Sequence, residues 1–335
     1  MDTSICLTSF LRRRSLQIAA LCFAAVGSTT YLYISSSSAS RYRRGLSIAL
    51  PDGGCEVTRA NLSENPIKPT WQASYPGSGA RMTWSLIEGL TGILTNSDFD
   101  PHQLGYDRVV AVKTHYPVNN KQKFEQELDP LIDRALVILR NPKTAIPSLY
   151  NFEYERLHNM PTHTRRGPQD DWMDYRIGEL EGAGGGGVKR QLEIFEEFVD
   201  YWMSKYPDRS KLHIVTYEEL IDENTGPQTA ESIANFLAQT DGVDSIDYNS
   251  IPCIWDTVVN YRDHLGEYDS RGIQQTLRKG PRIRPYSEEM LDNIAATLFR
   301  LLIKYGNDSE LTRILNGYIM DVMKTPVEER LVKME

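Results

Sequence analysis

One short stretch constrains this chain more than any other. Thr70 to Tyr75 reads as a strand, Pro76-Gly77-Ser78-Gly79 as a turn, and Met82, Leu86, Ile87, Leu90 and Leu94 then recur at helical spacing. A strand that passes through glycines straight into a helix leaves the first backbone N–H groups of that helix without intrahelical partners, with the helix dipole behind them. Glycines let an oxyanion approach that backbone closely, so the stretch predicts an anion cradle. A cradle at a strand end in turn implies a sheet to carry the strand.

Two further runs supply that sheet. Arg108 to Thr114 (RVVAVKT) and Arg134 to Leu139 (RALVIL) are short and β-branched, and they end in Lys113-Thr114-His115 and Arg140-Asn141-Pro142. Runs apolar along their length belong to strands buried on both faces, which means parallel strands, and their C-terminal edge is where open α/β sheets bind ligands. Leu212 to Tyr217 (LHIVTY) predicts a fourth strand. Helices are expected after Pro142, over Val188 to Lys205, Thr229 to Gln239, Glu288 to Lys304 and Glu310 to Lys324. Alternating strands and helices predict an α/β fold: a single three-layer domain over 70–325 with a central, mostly parallel sheet. Gly182 to Gly187 (GAGGGG) has no apolar strand leading into it, so it reads as a hinge before a helix rather than as a phosphate loop.

The N-terminal fifth is different in kind. Arg12-Arg13-Arg14 precedes Ser15 to Ile34, an uncharged stretch of about twenty residues that can span ~30 Å of hydrocarbon. It predicts a cytoplasmic tail over 1–14, a signal-anchor over 15–34, a stem over 35–69 and a lumenal body. A cleaved signal peptide and an organelle transit segment are the alternatives. Asn61-Leu62-Ser63 and Asn307-Asp308-Ser309 are glycosylation sequons. If the body is lumenal, Cys55 and Cys253 are the only cysteines available to pair, and the spacing of Cys6, Cys22, Cys55 and Cys253 shows no metal-ligand pattern. A formal net charge of −8 argues against nucleic acid as a partner, so any anion site is built locally.

Taken together, the motifs resemble the sulfotransferases that use 3′-phosphoadenosine 5′-phosphosulfate (PAPS), and within them the membrane-bound members related to the WSC-domain group. The resemblance spans about Trp71 to Tyr305, with its elements in the family's order. Tyr75-Pro76-Gly77-Ser78-Gly79, running into Ala80 and Arg81, is similar to the loop that holds the 5′-phosphosulfate. Val112-Lys113-Thr114-His115-Tyr116-Pro117 resembles the KTHxP segment, whose histidine is the catalytic base. Arg140-Asn141-Pro142 with Ser148 resembles the 3′-phosphate site, Tyr217 resembles positions near the adenine, and Arg278-Lys279-Gly280 resembles the late element that closes over the nucleotide. The resemblance implies PAPS as co-substrate, 3′-phosphoadenosine 5′-phosphate (PAP) as product and no metal. It also implies a carbohydrate or glycoprotein acceptor and a type II Golgi membrane protein with a lumenal catalytic domain. Many members place a lysine directly after the loop's proline, where this chain has Gly77; a gapless alignment, preferred because it keeps Leu86-Ile87-Glu88 in register, sets Arg81 where a threonine is usual, while a two-residue slip would set Thr83-Trp84 on the family's Thr-Trp pair with Trp84 near the adenine.

The residue types suit sulfuryl transfer without the family name. An attacking hydroxyl must lose its proton, and a histidine with near-neutral basicity can take it, which points to His115. The leaving phosphate gains charge, and fixed N–H donors and cations stabilise it; Lys113 and the planar fork of Arg140 are candidates. A P-loop kinase would need Lys-Ser/Thr at the helix start, where Ala80-Arg81-Met82 stands. A catalytically silent nucleotide- or glycan-binding protein on the same fold is the other alternative. Met160 to Gly187, with Arg165, Arg166, Asp170, Asp171 and Trp172, is expected to form an acceptor lid.

Overall fold

A computed structural model describes residues 57, 60–98, 106–119, 122–123, 132–180, 186–243, 246–260 and 286–325, all within one compact unit spanning Ser47–Glu335. The expected tail and membrane segment, most of the stem, Cys55 and the Arg278-Lys279-Gly280 element lie outside those residues. Among the described residues no helix is long and apolar enough to cross a membrane.

The predicted strands form. They are β1 (Thr70–Ser74), β3 (Ala111–Thr114), β6 (Ala135–Leu139) and β7 (Leu212–Thr216), joined by a three-residue strand, β2 (Thr95–Ser97), too short to have announced itself. These five make a parallel sheet in the order β2-β3-β1-β6-β7, while β4 (Val118–Asn119) and β5 (Gln122–Lys123) form a separate hairpin. The chain first winds from β1 out to β2 and β3, then crosses to β6 and β7 on the other side. Winding reverses at β1, the point where open α/β sheets form a binding crevice.

Period-two alternation in the strands sends side chains to two separate cores. Trp71 and Ala73 of β1, Val112 of β3, Ala135, Val137 and Leu139 of β6, and Leu212 and Ile214 of β7 face one side. There they pack on α2 (Pro142–Leu157), α3 (Gln169–Ile177), α4 (Gly187–Lys205), α8 (Glu288–Lys304) and α9 (Ser309–Met323). Ala111, Leu136, Ile138 and Val215 face the other, against α1 (Ala80–Thr91), α6 (Gly226–Leu237) and α7 (Ile251–Trp255). The short α5 (Tyr217–Ile221) follows β7 directly. The result is the three-layer α/β arrangement that the sequence predicts.

Two segments depart from expectation. Residues 60–69, read as the end of a stem, are tied to the body: Leu94 N–H donates to Asn61 O, Ser63 N–H to Arg108 O and Ile67 N–H to Asp107 O, and Ile67 is buried. Within the stretch read as a lid, α3 is an ordinary packed helix. Trp172 and Tyr175 are buried among Tyr150 and Tyr286, so they serve the core rather than a mobile cover. The helix expected after the glycine run forms, as α4 starting at Gly187; Gly182, Ala183, Gly184 and Gly185 of the run read as a hinge lie outside the described residues.

His213 of β7 carries a consequence for stability. Its Nε2 is 3.0 Å from Ser232 Oγ, and burial, with a smaller push from Arg209, lowers its pKa to about 4. Below the usual value of 6.5 the unfolded chain binds a proton that the folded chain refuses, so stability falls as pH drops from 6.5 towards 4. The slope reaches at most ~1.4 kcal/mol per pH unit for this group. Urea unfolding of wild type and His213→Asn at several pH values is expected to show a shallower acid loss in the variant; parallel slopes would contradict the assignment.

Candidate functional site

The β1 turn is wedged between two neighbours. Gly77 and Gly79 both have φ of 87°, in the left-handed region that favours glycine. A Cβ on Gly77 would lie 2.5 Å from Ala145 O of α2, and one on Gly79 would lie 2.6 Å from Cδ2 of Tyr217. Helix and ring can approach this closely only because both positions lack a side chain. Ser78 N–H closes the turn onto Tyr75 O at 3.1 Å, and Pro76 is buried beneath it. The Ser78 hydroxyl is buried without a hydrogen-bond partner, an uncommon state for a native polar atom. At the start of α1, Ala80 to Arg81, no side chain caps the helix and the first turn holds no acidic residue. By contrast Asn141, Thr216, Ser287 and Asp308 each cap their own helices. The stretch therefore keeps the properties of an anion cradle: a buried hydroxyl, uncapped N–H groups and no internal carboxylate.

Arg140, one residue past β6, locks the turn to its surroundings. Its Nη1 donates to Gly77 O at 2.7 Å and its Nε to Thr144 Oγ1 at 3.1 Å, while Cζ lies 4.0 Å from the centroid of the Tyr217 ring. One guanidinium thus joins the ends of β1, β6 and β7. Ser148 is half-buried on the turn of α2 whose Ala145 and Leu149 backbone atoms press on Gly77. Tyr217 is almost wholly buried and shapes the turn through Gly79 and Arg140.

His115 and Lys113 occupy the end of β3, next to β1. His115 Nδ1 is 2.7 Å from Ser74 O. A carbonyl only accepts, so Nδ1 carries the hydrogen, and the neutral ring has its lone pair on Nε2. Burial, then the charge of Lys113, lowers the His115 pKa to about 3 against the pull of the Ser74 carbonyl, so the ring is neutral throughout the physiological range and, in the absence of a bound anion, a much weaker base than the near-neutral histidine expected from the sequence. Burial also lowers Lys113, with Arg81 adding to the effect and Asp98 opposing it. Arg81 is exposed and donates from Nη1 to Thr162 Oγ1 at 3.2 Å.

The structure therefore brings together Pro76 to Arg81, Lys113, His115, Arg140, Ser148 and Tyr217 along the C-terminal ends of four adjacent strands. A side chain at position 77 is opposed both by the positive φ and by the nearby α2 backbone. Trp84 points elsewhere: its Nε1 donates to Glu88 Oε1 at 2.5 Å, and the same oxygen accepts from Thr95 N–H and Oγ1, bracing α1 to β2. Sequence reading did not anticipate the roles of Ser74 O, Thr144 or Asp98. It also missed Glu155, a fully buried carboxylate that accepts from the N–H groups of His163, Thr164 and Arg165 at 2.7 Å each and so fixes the loop that Arg81 touches. Ser74, Thr144 and Glu155 lie in no motif; their roles arise from register and chain crossing.

No family model matches the chain, and no curated protein matches it significantly.

Gly77→Ala is expected to lower the free energy of unfolding by about 1–3 kcal/mol, because it combines left-handed strain with a backbone clash. Gly317→Ala, on the exposed face of α9 with nothing within 4 Å of the added Cβ, serves as the contrast. It is expected to be neutral or stabilising by up to ~1 kcal/mol. Urea denaturation of both variants reads the difference.

Proposed function

We propose that this chain is a sulfotransferase on a P-loop-like domain, moving a sulfuryl group from PAPS to the hydroxyl of a carbohydrate or glycoprotein. The observation that carries the reading is one of placement. A turn shaped for an anion, a neutral histidine with its lone pair on Nε2, a half-buried lysine and a braced arginine all stand on one sheet edge. The cradle fits a phosphosulfate on a specific count: the Ser78 hydroxyl is buried and lacks a partner.

The donor supplies an activated sulfuryl group, whose S–O bond to the 5′-phosphate breaks as a bond from the acceptor oxygen to sulfur forms. His115 Nε2 accepts the acceptor's hydroxyl proton, and the Nδ1–H bond to Ser74 O holds the ring in the required tautomer. The turn amides and Ser78 hold the 5′-phosphate, and Lys113 offsets the charge that grows on it. Arg81 adds a second cation at the helix start, which answers the absence of a lysine at position 77. Arg140 and Ser148 are assigned to the 3′-phosphate; one of the five N–H groups of the guanidinium already holds the turn and another holds Thr144 of α2, so Arg140 arrives preorganised. Tyr217 and the Arg278-Lys279-Gly280 element complete the nucleotide site in this reading.

A Golgi-lumenal body held by an anchor at 15–34 belongs to the same proposal. Cys253 is disulfide-bonded, which suits an oxidising compartment, and its partner lies outside the described residues, where Cys55 is the cysteine that a lumenal body offers. Asn61 and Asn307, the sequon asparagines, are both exposed.

The test uses radiolabelled PAPS with a panel of glycans and glycoproteins. Wild type is expected to transfer label, and His115→Ala to lose about 10²–10⁴-fold in rate while PAP affinity, read by calorimetry, stays within a few-fold. Equal transfer by both proteins would remove His115 from the mechanism. Tight PAP binding with no transfer to any acceptor would favour a silent binding protein, and no PAP binding at all would end the sulfotransferase reading.

A further inference from the structure

The loop joining α2 to α3 reaches the cradle from outside the sheet, and it is tied down along its length. Met160 N–H donates to Glu155 O at 2.8 Å where the loop leaves α2, and Gly167 N–H donates to Asn151 Oδ1 at 2.9 Å where it turns towards α3. Between these points the buried Glu155 carboxylate accepts from the N–H groups of His163, Thr164 and Arg165. Thr164 Oγ1 donates to Pro161 O at 2.7 Å and so closes the chain around Thr162. His163 holds a left-handed φ of 67°. Such backbone outside glycine persists where the surroundings over-determine it, as the Glu155 contacts do here. The point at which this loop meets the cradle is Thr162: its Oγ1 accepts from Nη1 of Arg81 at 3.2 Å.

We propose that Thr162 is a positioning residue of the donor site: its hydroxyl holds the Arg81 guanidinium beside the cradle, and Glu155 is the strut that keeps Thr162 in place. That the cradle takes a sulfonucleotide rests on the sulfotransferase reading; the bracing of Arg81 rests on the contacts themselves. An exposed arginine has a long, flexible side chain and gives up much of its freedom when it grips an anion. A contact already made with Thr162 removes part of that cost before the ligand arrives. A hydroxyl suits the task because it accepts an N–H without cancelling the charge, whereas a carboxylate at 162 would compete with the ligand. The need for such a brace follows from the turn, where Gly77 brings no cation and a side chain from α1 must reach back to supply one. Glu155 lies two turns beyond Ser148 on α2, so the helix that presses on Gly77 also carries the strut.

The experiment measures PAP affinity of the full chain by calorimetry for wild type, Thr162→Val, Arg81→Gln and the double variant, with urea unfolding to establish that each is folded. Thr162→Val removes the hydroxyl and is expected to weaken PAP binding about 3–10-fold, while Thr162→Ser, which keeps it, stays within about twofold of wild type. In the Arg81→Gln background Thr162→Val is expected to change affinity by less than about 1.5-fold, because the hydroxyl acts through the guanidinium. A merely structural role for Thr162 would give the same loss with and without Arg81. If Arg81→Gln binds too weakly to measure, the Thr162→Val and Thr162→Ser pair decides. Glu155→Gln, which puts a donor where an acceptor oxygen stands, is expected to share the loss; full affinity in the folded variant would remove Glu155 from the scheme. Equal affinity of wild type and Thr162→Val, or equal losses in both backgrounds, would overturn the positioning role and leave the donor reading intact. Absence of PAP binding by wild type would overturn the donor reading and the proposal with it.

Discussion

The arrangement at the sheet edge depends on how closely α2 lies against the bare Cα of Gly77. That contact sets the distance between the β1 turn and the helix that follows β6, and Arg140 closes it by donating to Gly77 O. Helix and turn can meet this closely only if position 77 carries no side chain, so in this chain the turn brings no cation of its own. Positive charge must then come from outside the turn. It does so from Lys113 on β3 and Arg81 on α1, two elements that the sheet order and the β1–α1 connection bring alongside.

The order β2-β3-β1-β6-β7 also divides labour along the edge. Rigid, braced groups sit on the β6 and β7 side: Arg140 held by Gly77 O, Thr144 and Tyr217. Groups whose protonation is set by burial and by one another sit on the β3 and β2 side: His115, Lys113 and Asp98. In the proposed reaction the first half would grip phosphates and the second would handle protons, with the turn between them. A chain of net charge −8 achieves this by concentrating a few cations where backbone amides already converge, rather than by a basic surface.

Much of this was legible in the sequence, for physical reasons that differ by element. The strands around Val112, Val137 and Ile214 were readable because burial on both faces demands apolar residues throughout. The glycines of the turn were readable because positive φ and close approach leave few other choices. β2 was not, since three residues carry no period, and with it went the means to see that Asp98 ends beside Lys113. α3, inside the stretch expected to be a lid, was not legible as a helix because Pro168, Asp170 and Asp171 dominate its composition at the start, whereas only the packed structure shows Trp172 and Tyr175 facing Tyr150. Ser74 O is invisible to sequence in principle, because a backbone carbonyl selects the His115 tautomer and every residue has one.

Glu155 casts the cradle in a different light. Its carboxylate is ringed by three successive backbone N–H groups, so the fold builds an anion nest there and fills it with an anion of its own. The nest at Ser78 and the start of α1 is assembled from the same kind of donors, but the chain supplies no acidic residue to that first turn. A dissolved oxyanion thus meets a permanent intramolecular competitor at one nest and none from the first turn of α1 at the other. Which nest can exchange its occupant with solution is decided by where the sequence withholds a carboxylate, not by where it adds a lysine.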